Sequence, residues 1–322
     1  MYRIFLLTPA LLLAGCMNGG NPLTGGGGPD LELPPGTGVS SADRPVERYE
    51  AEGQNGNGYA QSITYDADND TFTVDNLAFD GDNTYSRDPV TPEMNGFRVY
   101  SSDALYTDPV TGTQFGQYSH HALMAEGASG ETHVAVVRTG AYLNYGFGGF
   151  LYSRDGSVVL PEGGQAAFSG RYAAIRDFNN WGGTEFATGN AQAIIDFEDF
   201  NDGNGVHLQI TNRRIFDASG SDITESLLEA MGPNQTTMPN LNPVVGPKAM
   251  SEAGEITQGM KSLYINESGR VVSYESGNYY GVLSGSGADM ELVGVVVVEG
   301  QDPRWEGSVT TRETGGFIME RQ

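Results

Sequence analysis

Cysteine is almost absent from this chain: its 322 residues contain one, Cys16. No thiol follows it, which excludes a disulfide framework and a thiolate-held zinc from the folded part. Positive charge is scarce as well. Lys and Arg number 17 against 41 Asp and Glu, a formal charge of −24. A field of that sign repels phosphate backbones and anionic headgroups, so nucleic acid is excluded as a partner. No apolar run reaches the roughly 20 residues that a membrane-spanning helix needs. The sequence also lacks a G-x-S-x-G elbow, a Walker loop and an H-E-x-x-H pair. Its four histidines are His120, His121, His133 and His207. The first two are adjacent and would point to opposite faces of a strand, where they cannot share a metal. The stretch "DADNDT", 66–71, opens like a calcium loop but has Thr71 at the glycine position and Leu77 at the bidentate glutamate position, so it reads as a hairpin turn. The expectation is a protein with no catalytic residue, no metal site and no cofactor.

What is present begins at the N-terminus. Met1, Tyr2 and Arg3 lead into a short apolar stretch ending in Leu12, Leu13, Ala14, Gly15 and Cys16, the layout of a cleaved leader. This stretch resembles the bacterial lipoprotein signal, which implies a signal peptide over 1–15 and an acylated Cys16 that anchors the chain to a membrane. Met17, in place of aspartate, implies export to the outer membrane. From Met17 to Pro45 there are 8 glycines and 5 prolines among 29 residues. Residues 16–45 therefore read as a lipidated tether with a reach of about 30 Å.

Beyond the tether the hydrophobic period is two. Ala191, Ala193, Ile195 and Phe197 alternate with Gln192, Asp196 and Glu198. Val206, Leu208, Ile210 and Phe216 are expected on one face, opposite His207, Gln209, Thr211 and Arg213. Met290, Leu292, Val296 and Val298 form a third such row, with Gly294 between them. Turn signals stand at 201–205, 267–269 and 284–287. One helix is expected in "SDITESLLEAMGP", with Asp222 as N-cap and Gly232-Pro233 as the stop, inside a long connection over 217–254. The expected fold is all-β: an N-terminal β-rich handle domain over 46–159, followed over 160–322 by an eight-stranded antiparallel β-barrel with that short helix in one long loop.

In "GNYYGVLSGSGADMELVGVVV", Gly277, Tyr279, Tyr280, Gly281, Ala288, Glu291, Leu292 and Gly294 resemble the signature of the barrel domain of the transferrin-binding protein B family. The spacing from Gly281 to Ala288 is longer here than in that family. The resemblance implies a single-lobed lipoprotein at the outer-membrane surface, made of a handle and a barrel, with the motif positions structural. It further implies capture of an iron carrier, haem, another nutrient or a host protein, and a TonB-dependent receptor or surface translocon as membrane partner. A structural or stress-related envelope lipoprotein without a soluble ligand is the alternative. Tyr142, Tyr145, Phe147, Phe150 and Tyr152 lie among glycines and are the candidate ligand-binding residues if exposed. If buried, they join handle to barrel.

Overall fold

Alternation of apolar and polar residues builds most of this protein. The computed structural model describes residues 32–51, 60, 62–75, 84–102, 105–107, 110–116, 119–140, 145–198, 205–246, 249–305, 307 and 309–322. A first group of strands comprises β1 (Val46–Tyr49), β2 (Ser62–Asp66), β3 (Thr71–Asp75), β4 (Thr84–Arg87), β5 (Glu93–Met94), β6 (Phe97–Ser101), β7 (Leu105–Thr107), β8 (Gln114–Gly116), β9 (His121–Glu126), β10 (Thr132–Arg138) and β11 (Gly148–Arg154). A second group comprises β12 (Val158–Val159), β13 (Gln165–Asn179), β14 (Glu185–Asp196), β15 (Val206–Asp217), the helix α1 (Thr224–Met231), β16 (Asn242–Val244), β17 (Glu255–Ile265), β18 (Val271–Ser286), β19 (Glu291–Gln301) and β20 (Thr310–Arg321).

The first sheet runs β1-β11-β10-β9-β6-β4-β3-β2 and curls over its own core of Phe72, Val74, Tyr85, Tyr100, Met124 and Val137. The second runs β15-β14-β13-β20-β19-β18-β17-β16 and returns to its start through a bridge between Ile210 and Leu241. That is the eight-stranded antiparallel barrel. Ala191, Ala193, Ile195 and Phe197 all line its interior, as do Met290, Leu292, Val296 and Val298. The outward residues of β19, Val293 and Val295, are buried too, because they pack against Val134, Val136, Phe150 and Tyr152 of the first sheet. Strands between the two cores are therefore apolar on both faces, whereas β2 and β14 keep one polar face. An Asn95-Gly96 turn with φ of 49° and 77° joins β5 to β6. The Asn95 amide donates to the carbonyls of Tyr172 (3.0 Å) and Gly189 (2.9 Å), seating this hairpin on the barrel.

Three expectations are corrected, the first being the faces of Arg213 and Phe216 in β15. Phe216 does not share a face with Ile210: Ile215 lines the interior, and Phe216 packs outward against the core between the sheets. Arg213, expected outside, is 3% exposed and points inward. The cause is a bulge. Asn190 pairs with Thr211 and Thr188 with Arg214, so Gly189 faces two residues of β15, and Asn212 takes φ 52°. One extra residue reverses the alternation beyond it. The helix starts one residue later than expected, with Ile223 as N-cap, while Asp222 accepts the Thr224 N–H at 2.9 Å. Its stop is as expected, since Gly232 has φ 102° and donates to the carbonyls of Leu228 and Glu229.

The third correction concerns the tether. Its distal part, Pro34 to Arg44, is fastened to one end of the barrel. Arg48 donates to the carbonyls of Pro34 and Thr37 and forms a bidentate pair with Glu255 of β17 (2.7 and 2.9 Å). Arg154 donates to the carbonyls of Ser41 and Arg44 on this strap and to those of Ala253 and Leu283 on the barrel. Composition alone reads this stretch as loose, but distant guanidinium donors satisfy its carbonyls.

Candidate functional site

The residues singled out in the sequence gather along β18 to β20 and the face of the barrel that meets the first sheet. Gly281 of β18 pairs with Gly294 of β19, which pairs with Phe317 of β20. A Cβ on Gly294 would lie 2.0 Å from the Tyr280 carbonyl oxygen and 2.6 Å from the Phe317 ring. A Cβ on Gly277 would lie 2.0 Å from the Val297 carbonyl oxygen. Gly281 and Gly294 make room for Phe317 in the barrel core, since a Cβ on Gly281 would lie 3.2 Å from the same ring. Gly294→Ala should therefore lower stability by about 1–3 kcal/mol, the usual cost of overpacking. A thermal melt equal to that of the parent chain would contradict this.

Tyr279 points into the barrel and is hydrogen-bonded to Gln258, its hydroxyl pushed up by burial. Tyr280 points outward and stacks on Phe150, ring centroids 6.3 Å apart. Between them the chain covers both faces of one wall. The long Gly281–Ala288 spacing is taken up by β18, which continues to Ser286, and by a 3-10 turn over Gly287–Asp289 that leaves Ala288 exposed. Glu291 is 4% exposed. Its carboxylate accepts hydrogen bonds from the Ser129 N–H (2.8 Å), the Ser129 hydroxyl (2.7 Å) and the Thr132 hydroxyl (2.6 Å). All three donors belong to the β9–β10 turn and its edge, so Glu291 pins the barrel to the first sheet. Gly127 leaves space for it, since a Cβ there would sit 2.3 Å from Glu291 Oε2. The crevice beside this contact, lined by Gly127, Ser169, Gly170, Arg171 and Met319, holds about 30 Å³, room for about one water.

The aromatic run divides. Phe150 and Tyr152 are 3% and 0% exposed in the layer between the sheets. Tyr145 is half-buried at the end of the barrel opposite the strap, and Phe147 is half-buried against the core of the first sheet. The Tyr145 hydroxyl is bonded to that of Thr310 (2.6 Å), and Arg312 lies over its ring at 4.8 Å. Tyr142 and Cys16 lie outside the described residues.

Sequence reasoning missed the charges inside the barrel. Arg213 makes a bidentate pair with Glu275 (2.8 and 2.8 Å), reaches Glu313 (2.6 Å) and donates to the Pro239 carbonyl (2.9 Å). Tyr172 donates to Glu313 (2.9 Å) and Ser262 to Glu275 (2.6 Å). Arg176 bonds Glu185 (2.5 Å), which Arg304 joins to Asp302 (2.6 and 2.7 Å). Burial pushes the Glu275 carboxyl up, but the Arg213 charge and hydrogen bonds outweigh it and hold the group below the ordinary carboxylate range. All four carboxylates are engaged by guanidinium or hydroxyl donors, an arrangement suited to holding strands rather than moving protons. The chain's two tryptophans cap this end, Trp181 and Trp305 lying 4.8 Å apart, with Phe178 edge-on to Trp181 at 4.5 Å and Arg304 over Trp305 at 4.7 Å. Apart from the close pairs Asp302–Arg304 and Phe178–Trp181, no local pattern announces either cluster, because the other partners are brought together by strand pairing.

The histidines are dispersed. His120 packs edge-on to Tyr85 and His121 to Phe186, on opposite sides of the first sheet. Burial lowers the His121 ring. His133 meets Asp155 at 3.2 Å, and His207 is exposed on the barrel wall. The Asp66–Thr71 stretch forms the β2–β3 turn, in which Asp66 accepts from the N–H groups of Asp68 and Asn69. Asp70 is bound by Arg87, Tyr100 and Tyr65, its carboxyl drawn down to about 2 chiefly by the Arg87 hydrogen bond.

Comparison with protein-family models finds no match, and comparison with curated proteins finds none. Among solved structures, the chain is similar to a double mutant of the vaccine antigen Transferrin Binding Protein B from Haemophilus parasuis, with TM-score 0.36 and 12% identity over 81% of this chain and 42% of that one. It is also similar to intact Ap-TbpB with its N and C lobes, with TM-score 0.33 and 13% identity over 81% of this chain and 46% of that one. The chain thus spans less than half the length of the two transferrin-binding protein B chains that it is similar to.

Proposed function

We propose that this chain is a lipid-anchored protein of the outer-membrane surface that captures a soluble ligand, a host protein, an iron carrier or haem, without chemical change. The observation that carries the reading is the place of the strap. Residues 34–44 are bound to the barrel end formed by Arg154, Ala253 and Leu283, so a leash running back to an acylated Cys16 leaves from that end. The opposite end, where Trp181, Trp305 and Tyr145 stand, then faces away from the membrane. Tyr145 and Phe147 are the aromatic candidates this reading assigns to ligand contact, with Phe150 and Tyr152 as their buried support. The change of sheet between Arg154 and Gln165 supports a division into handle and barrel. A TonB-dependent receptor or surface translocon is the membrane partner the reading expects.

Cys16→Ser is expected to move the protein from the membrane fraction to the soluble fraction, and protease added to whole cells is expected to remove the parent protein. Retention of Cys16→Ser in the membrane would overturn the anchor. Survival under conditions that shave a known surface protein would overturn the display. A pulldown from host fluid, with a visible-absorption scan for haem, identifies the ligand.

A further inference from the structure

The barrel wall is uneven. Of its eight junctions, six are ladders running most of a strand's length, β16–β17 is three residues long, and β15–β16 is one bridge among the described residues. In that bridge Ile210 and Leu241 exchange two backbone hydrogen bonds of 3.0 Å, and beside it Gln209 donates to Asn242 at 3.2 Å. Above the bridge, β15 turns to its own continuation: the Ile223 N–H donates to the Ile215 carbonyl and the Asp217 N–H to that of Ser221. What fills the gap in the wall there is the helix and the chain after it, with Leu227, Met231, Met238 and Leu241 inserted in the core. Residues 225–244 thus act as the eighth stave. They are tied sideways to the β17–β18 hairpin, where Asn234 donates to the carbonyls of Asn266 and Glu267, and the Ile265 N–H donates to Gln235.

We propose that the barrel opens along the β15–β16 seam, with residues 225–244 moving off β15 as a unit while the ladders from β17 through β20 to β13, β14 and β15 stay paired. Breaking the seam costs two backbone hydrogen bonds, the Gln209–Asn242 bond, the Arg213–Pro239 bond and the burial of four apolar side chains. Opening at any of the six long ladders costs a whole row of backbone hydrogen bonds besides apolar burial. Cooperative units of lower stability are found where such pairing is short. The opening uncovers part of the apolar lining around Met260, a residue type that adapts to varied shapes.

Hydrogen exchange on the full mature chain tests this. Amides of 225–244 are expected to exchange at least about 10-fold faster than those of Val293–Val297 in β19. Gln209 and Asn242 face each other beside a hydrogen-bonded pair, a position where Cβ atoms lie about 4.5–5.5 Å apart, close enough for a disulfide after a small adjustment. With Cys16→Ser as background, oxidising the double variant Gln209→Cys, Asn242→Cys should slow exchange in 225–244 by about 10-fold or more, and reduction should restore it. Exchange of 225–244 at the β19 rate in the parent chain would overturn the proposal, because opening would then need global unfolding. So would a verified cross-link that leaves the stave's exchange unchanged.

Discussion

Arg213→Ala is expected to cost the barrel about 3–5 kcal/mol, because removing one partner of a buried ion pair strands the other charge. Here Glu275 loses its bidentate guanidinium, while Glu313 loses one of two and keeps Arg176 at 3.5 Å. Glu275 and Glu313 are 4% and 1% exposed, and Arg213 lies between them. A domain's whole stability is about 5–15 kcal/mol, so the melting temperature should fall by about 10 °C. The dependence on pH should change sign as well. In the parent chain the Glu275 carboxyl is held below its unfolded value, so its contribution is full above about pH 4.3 and is lost as pH falls through the folded value. In Arg213→Ala, burial without a guanidinium raises the carboxyl, the folded state binds the proton first, and stability increases as pH drops from 7 toward 5. Circular-dichroism melts from pH 4 to 8 would show both effects. A variant that melts like the parent at pH 7, with the same slope, would rule out this role for Arg213. A triple replacement, Arg213→Met with Glu275→Gln and Glu313→Gln, should regain part of the loss, since it leaves no bare charge inside.

Glu291→Ala is expected to cost about 3 kcal/mol by leaving the Ser129 N–H and two hydroxyls without their charged acceptor. Its effect should be local. Glu291 receives all three bonds from the β9–β10 edge, so limited proteolysis should cut near Gly127–Glu131 before it cuts the barrel strands. Glu291→Gln keeps one carbonyl acceptor and should fall between the two, at about 1.5 kcal/mol. Urea midpoints of the three chains give the order. Equal midpoints for the parent and Glu291→Ala would mean that the contact adds nothing to holding the sheets together.

The two residues illustrate different degrees of legibility. Glu291 stands out in the sequence beside Leu292 and Gly294, although nothing near it names Ser129 or Thr132, which are more than 150 positions away. Arg213 is misread by its own neighbours. Counting by twos from Ile210 places it outside, and only the bulge at Asn212 turns it inward. The charge clusters share this limit: Arg176 meets Glu313, and Arg304 meets Glu185, across strands brought side by side by barrel closure. Phe150 and Tyr152 show a third case. Their aromatic character is plain, but whether such rings face solvent or a second sheet depends on what packs over them, and here that is Tyr280.

The sequence by itself determined the all-β character, the inward rows of β14 and β19, the helix stop at Gly232 and the acidic, cysteine-poor composition. Each of these is written in residues a few positions apart, within reach of a period-two or turn argument. Only the tertiary structure decided that the alternation reverses in β15, that β19 is buried on both faces, that Pro34 to Arg44 is strapped down, and that two arginines, Arg176 and Arg213, lie inside a barrel. Those outcomes depend on partners tens to hundreds of residues away, and a buried charge is tolerable only where such partners supply the hydrogen bonds that water would otherwise give.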